Sequence, residues 1–191
     1  IEFKFFDAFF KINLVEKKKI AVLTSHNTSE KNKISSFIKS LKPYYQLASF
    51  DLKALEKNPI KTLENLKRFE LLIISNPKTP FTEQEKYLLD QHLIDGGKQL
   101  WMINSTSVNR DSLFNSEGSA IATVNNLNMA NLFFKYGFRL EKNLVKDLFC
   151  APIVLASGKQ SKAQYIPIPW PYYPIAQPSD HIIGNGISNL W

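Results

Sequence analysis

The sequence predicts an α/β domain in which helices cover both faces of a mostly parallel sheet. Three observations lead to this fold class. Apolar segments short enough for buried strands recur at residues 19–24, 44–50, 70–75 and 99–104. Amphipathic helical patterns or helix-capping residues lie between them. The resulting order β-α-β-α-β-α-β, with short connections, is typical of a parallel sheet between two layers of helices.

The chain begins with a Phe-rich segment, residues 1–16, that predicts a short helix. Phe6, Phe9 and Phe10 recur at helical spacing, whereas the alternation of apolar residues at the start of the segment also suits a strand. The first strand of the sheet follows, because residues 19–24 form an apolar run of the kind found in buried parallel strands.

Apolar spacing and capping residues predict the three helices between the strands. The first helix has apolar residues at i, i+3, i+4 and i+7 from Ile34. The third ends at Gly96-Gly97, because the left-handed conformation that closes a helix suits glycine. The predicted N-terminal signals are Thr28 or Ser29 for the first helix, the Asn58-Pro59 pair for the second and the Thr82-x-x-Glu85 capping box for the third.

The pattern changes after residue 104. Residues 105–127 are polar without a clear period and predict a long loop, and residues 129–136 restore a helical stripe. Residues 138–157 contain one or two strand candidates. Five of the ten prolines then fall within residues 167–178, interleaved with aromatic side chains.

We predict three parts for the chain. An N-terminal helix, residues 1–16, leads in from a truncated upstream region, and the α/β domain covers residues 17–157. A Pro- and aromatic-rich extension covers residues 158–191 and is truncated downstream. Because the chain opens at Ile1 without Met or a signal peptide, we interpret it as a fragment of a longer protein. No apolar run in it is long enough to cross a bilayer.

The net charge of +7 comes from 24 basic and 17 acidic residues. The basic residues are 21 Lys and only 3 Arg. Proteins that read nucleic acid rely on Arg forks and stacked aromatic rings, so lysines interleaved with glutamates predict a solvated surface and no nucleic-acid partner. A basic patch facing anionic lipid or nucleic acid is the alternative.

Candidate ligand-binding residues lie where the predicted strands end, since parallel α/β sheets bind ligands beyond the carboxyl ends of their strands. These ends carry amides, hydroxyls and one imidazole but no glycine-rich phosphate loop. Three histidines without a His-x-x-x-His spacing predict no metal site, and we expect no cofactor. The predicted ligand-binding residues are His26, Asn27, Asn76, Asn104 and Thr106.

Catalysis is not expected, because the sequence contains no Gly-x-Ser-x-Gly or Gly-x-Cys-x-Gly elbow to expose a nucleophile. Apolar neighbours predict a buried, inert thiol at Cys150. His92, among polar neighbours, is expected on a solvated helix face. The Pro-rich segment is expected to pack its aromatic rings against the sheet or a neighbouring domain. The alternatives are an aromatic platform that binds a sugar, or a surface that binds a partner through Trp170, Tyr172 and Tyr173.

Blocks of sequence over nearly the whole chain resemble the GldG family of gliding-motility ABC-transporter auxiliary proteins of Bacteroidetes. These blocks are KKIAVL at residues 18–23, LLIISNPK at 71–78, PFTEQEKYLLD at 80–90, GGKQLWMI at 96–103, LFFKYGFRL at 132–140, DLFCAPI at 147–153 and PWPYYP at 169–174. The first loop of such proteins often reads Gly-His-Gly-Glu. Here it reads Ser25-His-Asn-Thr28, which keeps the histidine and replaces both glycines.

The resemblance implies an extracytoplasmic domain, on the periplasmic face of the inner membrane, of a membrane-anchored protein. Its core would be similar to the class I glutamine amidotransferase-like fold, a Rossmann-like three-layer domain, without the catalytic elbow. The implied partners are the permease and ATPase subunits of an ABC transporter and other motility or secretion proteins.

The sequence leaves three hypotheses for the function of the chain. The first is a non-catalytic interaction domain in a transporter or motility assembly, with the Pro-aromatic segment as its contact. The second is a small-ligand-binding domain for a saccharide or peptide fragment. The third is a hydrolase or amidotransferase with Cys150 or Ser105 as nucleophile. The absence of an elbow, a phosphate loop and metal-ligand spacing favours the first.

Overall fold

The structure is a computed structural model that describes residues 2–28, 31–109, 112, 119–157, 164–178, 181–182 and 184–188. The chain divides into two compact units, residues 1–142 and residues 143–191. None of the described helices is both long and apolar enough to cross a bilayer.

The first unit contains a four-stranded parallel sheet. Its strands are β1 (Lys19–Leu23), β2 (Gln46–Phe50), β3 (Leu71–Ser75) and β4 (Lys98–Met102). Their order across the sheet is β2-β1-β3-β4, and each neighbouring pair is parallel. The two central strands supply most of the sheet's buried apolar residues, since these strands are covered on both faces. The predicted fold class, a Rossmann-like α/β domain, is confirmed.

The described residues of the first unit form five α-helices: α1 (Glu2–Asn13), α2 (Lys31–Leu41), α3 (Pro59–Lys67), α4 (Glu83–Ile94) and α5 (Ala130–Lys135). A 3₁₀ turn covers Leu52–Glu56. The step from β1 to β2 runs in the opposite direction across the sheet from the steps to β3 and β4. Because such crossovers are right-handed, α2 lies on one face and both α3 and α4 lie on the other.

The predicted caps of the second and third inter-strand helices are confirmed. The Asn58 side chain accepts a hydrogen bond from the Lys61 amide at the start of α3. Thr82 and Glu85 form a complete capping box at the start of α4. For α2, the alternative cap Ser29 lies outside the described residues, and the Thr28 hydroxyl donates instead to the Leu23 carbonyl, 3.1 Å away.

The structure differs from two predictions in this unit. The segment read as a loop contains a short antiparallel pair, β5 (Thr106–Val108) with β6 (Ala122–Val124). His92 is wrongly predicted to face solvent, because its side chain is only 1% exposed. Its Nε2 donates to the Phe69 carbonyl at 3.0 Å, so the ring fills the space beneath the end of α4.

The second unit is an antiparallel ribbon of β7 (Cys150–Ser157) and β8 (Gln164–Pro174). The Pro-rich segment is thus a strand. Pro167 and Pro169 are two residues apart, so their backbone nitrogens point to the same edge of β8. Neither nitrogen carries a proton, so neither can donate a hydrogen bond to a further strand. The register shifts between Cys150 and Pro152, opposite the part of β8 that carries Trp170.

Candidate functional site

The carboxyl ends of the four parallel strands meet at one edge of the first unit. Between β1 and β3 the chain's direction of travel across the sheet reverses, because β2 lies on one side of β1 and β3 on the other. In open α/β sheets a ligand crevice forms at such a reversal. Whether this crevice is open therefore decides what the edge can bind.

The loop after β1 closes this crevice with its own backbone. The His26 carbonyl accepts hydrogen bonds from the amides of Lys78, at 2.8 Å, and Thr79, at 3.3 Å, in the loop after β3. His26 and Asn27 both have positive φ, 65° and 48°, which turns the loop sharply enough to reach across. The loops after β1 and β3 are joined directly.

The imidazole of His26 fills the space behind this backbone contact. Its ring stacks on Phe81, with the ring centroids 4.0 Å apart and the planes 10° from parallel. Phe81 is 1% exposed and His26 is 6% exposed. Nδ1 lies 3.0 Å from the Ser25 hydroxyl oxygen, and Nε2 lies 3.2 Å from a carboxylate oxygen of Glu85 in α4. Both ring nitrogens therefore have partners inside the protein.

The other hydrogen bonds of this group suit the tautomer of His26 that carries its proton on Nε2. The Ser25 oxygen accepts from the Leu52 amide at 3.2 Å, so the hydroxyl proton is free to go to Nδ1 of His26. Nε2 then carries the ring proton and donates to Glu85. The same carboxylate oxygen accepts from the amide of Thr82 at 2.8 Å and from its hydroxyl at 2.9 Å.

A hydroxyl, an imidazole and a carboxylate in series resemble the order of a hydrolase triad. The surroundings differ, because a nucleophile must meet its substrate and Ser25 is only 6% exposed. Its oxygen is also held by the Leu52 amide. The hydrogen bonds of Ser25, His26 and Glu85 join the end of β1 to the 3₁₀ turn and to α4. These three side chains therefore have a structural role. Within the described part of the chain, no group of three or more His, Cys, Asp or Glu side chains could hold a metal ion.

The other predicted ligand-binding residues lie along the same edge or just beyond it. Asn27 and Asn104 are exposed and Asn76 is half-buried. Asn76 has a positive φ of 46°, and its amide donates to the Met102 carbonyl at 2.6 Å, which ties the ends of β3 and β4 together. Thr106 opens β5, opposite Val124.

Asn125 is a residue of this edge that the sequence analysis missed. Its side-chain amide donates to the carbonyls of Pro77, at 3.1 Å, and Asn104, at 3.2 Å, and so bridges the loops after β3 and β4. Nearby, the side-chain amide of Asn128 donates to the Phe81 carbonyl at 2.9 Å. The repeated Asn in residues 125–128 was the available signal, because Asn often bonds backbone groups in turns.

The predicted partner-binding residues lie in the irregular part of β8. The rings of Trp170 and Tyr172 are in contact, with centroids 5.6 Å apart. Tyr172 is 43% exposed and Tyr173 is 38% exposed, while Trp170 is half-buried. The ribbon thus presents an aromatic surface beside a strand edge that prolines protect from further pairing.

Comparison with known proteins gives a family match by sequence and a similarity to a solved structure. The model of the family ABC_transp_aux, described as "ABC-type uncharacterized transport system", matches residues 17–190. No curated protein matches. Among solved structures, the chain is similar to "mmIFT52 N-terminal domain", with a TM-score of 0.50 and 20% identity. The match covers 80% of this chain and 66% of that chain, just under two thirds, and shows the fold alone.

Proposed function

The chain belongs to the family of ABC-type uncharacterized transport systems, and from this premise we propose that it is a non-catalytic extracytoplasmic interaction domain. It acts in assembly of the transporter or in coupling its parts, with the membrane permease and ATPase subunits as partners. The resemblance to the GldG family of Bacteroidetes extends the proposal to gliding motility and secretion. On the same resemblance, we also propose that the domain lies at the periplasmic face of the inner membrane, in a membrane-anchored parent.

The closed crevice between β1 and β3 is the observation that carries this proposal. An enzyme of this fold needs a cavity at that reversal, where substrate meets a nucleophile, a phosphate loop or a metal. Here His26 and Phe81 fill the position, and both ring nitrogens of His26 bond Ser25 and Glu85. The polar groups at the edge hold loops together, so binding to partners falls to exposed surfaces elsewhere.

The aromatic surface of β8 is the proposed contact with the transporter. An isolated two-stranded ribbon is marginally stable in water and gains stability when its apolar side chains are covered. Trp and Tyr rings dominate the energetics of protein interfaces. Because Pro167 and Pro169 remove donors from the strand edge, the partner is expected to pack on the rings of Trp170 and Tyr172 rather than add a strand.

The test is capture of the purified transporter, as a complex of its permease and ATPase subunits in mild detergent, by the wild-type chain and by Trp170→Ala. Loss of an interface Trp costs at least about 2 kcal/mol, so the Kd is expected to rise about 30-fold. Tyr165→Ala is the matched control, because Tyr165 lies in the same strand and is 72% exposed. Normal capture by Trp170→Ala would show that the contact lies elsewhere. Failure of the wild-type chain to bind the complex would overturn the proposed function.

The alternative is a binding domain for a small saccharide or peptide. The exposed side chains of Asn27 and Asn104, at the strand ends, support it. A ligand at 100 times its Kd stabilises the folded state by about 2.7 kcal/mol. For a chain of this size that corresponds to a rise of about 5 to 10 °C in melting temperature. A saccharide and peptide library that produces no such rise would contradict this alternative.

A further inference from the structure

Helix α1 is oriented with its polar side towards its own domain. The Asp7 carboxylate accepts hydrogen bonds from the Tyr44 hydroxyl and the Lys11 ammonium group. The Lys11 ammonium group also lies 4.9 Å from the centre of the Tyr44 ring. In a helix on the surface of a globular domain the apolar side normally faces inwards. Here Asp7 and Lys11 contact the domain from the opposite side, and at the edge of the apolar side the Phe10 ring lies 6.2 Å from the Tyr44 ring, centroid to centroid.

The apolar side of α1 is left exposed. At about 100° per residue, its Phe and Ile side chains cover roughly half of the helix circumference. A Phe ring buries on the order of 200 Å², so the five rings together expose about 650 Å². That exceeds the largest apolar patch of most monomeric proteins. The exposed side chains are Phe3 (78%), Phe5 (63%), Phe6 (71%), Phe9 (54%), Phe10 (60%) and Ile12 (81%).

The order of residues in α1 has a two-fold symmetry. From its first residue the helix reads Glu-Phe-Lys-Phe-Phe, and from its last residue it reads Asn-Ile-Lys-Phe-Phe. Two copies laid antiparallel would therefore set apolar residues against apolar residues and polar ends against polar ends. A two-fold interface requires such self-complementarity. The opposed residues would be Phe3 with Ile12, Phe5 with Phe10, Phe6 with Phe9, and Glu2 with Asn13.

The charges of α1 indicate whether a second copy of the chain or a lipid bilayer covers its apolar side. A helix that lies on a membrane is rich in Lys and Arg on its polar side, whereas α1 has two lysines, Lys4 and Lys11, and Lys11 pairs with Asp7. Interfaces between proteins are depleted of charge and rich in aromatic rings at their centre, as this surface is. The area also fits, because a standard interface takes about 800 Å² from each partner and Ile12 adds to the 650 Å² of the Phe rings.

We propose that the exposed face of α1 is a homodimer interface, in which the helices of two copies pack antiparallel about a two-fold axis. The prediction concerns self-association and does not depend on the transporter partners.

Sedimentation equilibrium of the 191-residue chain tests this. The wild type is expected at twice its monomer mass of 21.9 kDa. Phe6→Ala is the informative variant, because that ring is 71% exposed. The substitution occurs on both sides of the axis, so the dimer Kd is expected to rise about 1,000-fold. The matched control is Phe134→Ala in α5, an equally exposed Phe at 75%, which is expected to leave the Kd unchanged.

Cysteine cross-linking tests the antiparallel arrangement in chains that keep the rest of the face. In a Cys150→Ser background, a chain with Phe3→Cys is expected to form a disulfide with a chain carrying Ile12→Cys, and not with itself. Self-pairing of Phe3→Cys alone would show a parallel pair and contradict the proposal. A monomeric wild type at 100 μM would overturn it. If that monomer also co-sedimented with anionic vesicles, the face would be a lipid-binding surface instead.

Discussion

Replacing Phe81 with Ala should test whether this ring holds the crevice between β1 and β3 closed. The ring is 1% exposed, stacks on His26 at 4.0 Å and meets Trp101 edge-on at 5.7 Å. Large-to-small changes at buried Phe cost about 3 to 5 kcal/mol. The two ring contacts are each worth about 0.5 to 1.5 kcal/mol beyond the area they bury. We therefore expect a loss of about 4 kcal/mol of unfolding free energy.

Urea unfolding followed by tryptophan fluorescence measures this loss, because Trp101 contacts the mutated position. The corresponding fall in melting temperature is about 8 to 16 °C. Phe134→Ala removes the same ring from a site that is 75% exposed and is expected to change stability by no more than about 0.5 kcal/mol. A loss below about 1 kcal/mol for Phe81→Ala would refute the reasoning, since the crevice would then be closed without this ring.

Three further changes probe other parts of the first unit. Gly97→Ala is expected to cost about 1 to 3 kcal/mol in thermal melting, since a Cβ there would lie 2.3 Å from Nε2 of His92. Burial, and then a hydrogen bond donated to Asp90, raises the pKa of Tyr136 to about 12. Neutral Tyr136 therefore stabilises the fold below about pH 10, and this stabilisation disappears as the pH rises through 12; ultraviolet titration of Tyr136→Phe is expected to lack the step at highest pH. Thr82→Ala removes the hydroxyl that caps α4 and is expected to cost about 1 kcal/mol in urea unfolding.

Each of these changes has a matched control. In a His92→Ala background the additional cost of Gly97→Ala is expected to fall, and an unchanged cost would show that the ring is not what the Cβ meets. Asp90→Asn is expected to lower the pKa of Tyr136, and a pKa that stays at about 12 would remove Asp90 as a cause. Thr82→Ser keeps the hydroxyl, so equal losses for Thr82→Ser and Thr82→Ala would argue against the cap.

The elements that could be predicted from sequence are those whose signals are local. The capping box of Thr82 and Glu85 lies within four consecutive residues, and the central strands β1 and β3 are nearly continuous apolar runs. The β5–β6 pair has three residues in each strand, too few to show an alternation. The burial of His92 was missed because it depends on the loop at Gly97, which lies directly on the ring.

The candidate site shows the same division between local and distant information. The strand ends, and His26 among them, follow from the strand assignments and the parallel topology. Closure of the crevice does not, because Glu85 lies 59 residues from His26 and Phe81 comes from the loop that precedes the next helix. Asn125 reaches the Pro77 carbonyl from 48 residues away. Such contacts depend on packing that no nearby sequence pattern records.

Several polar groups at the strand ends are buried, whereas many of the aromatic rings are exposed. The buried polar groups of the chain, such as Ser25, His26 and Glu85, bond one another, whereas many of its aromatic rings remain at the surface in α1 and β8. On the proposed function, we expect this chain to bind its partners through these exposed rings, because Trp and Tyr rings dominate the energetics of protein interfaces. If α1 forms the dimer, each dimer carries two copies of the β8 surface. Capture of an assembly with two permease subunits would then depend on both surfaces, and Phe6→Ala would weaken it without touching the transporter contact.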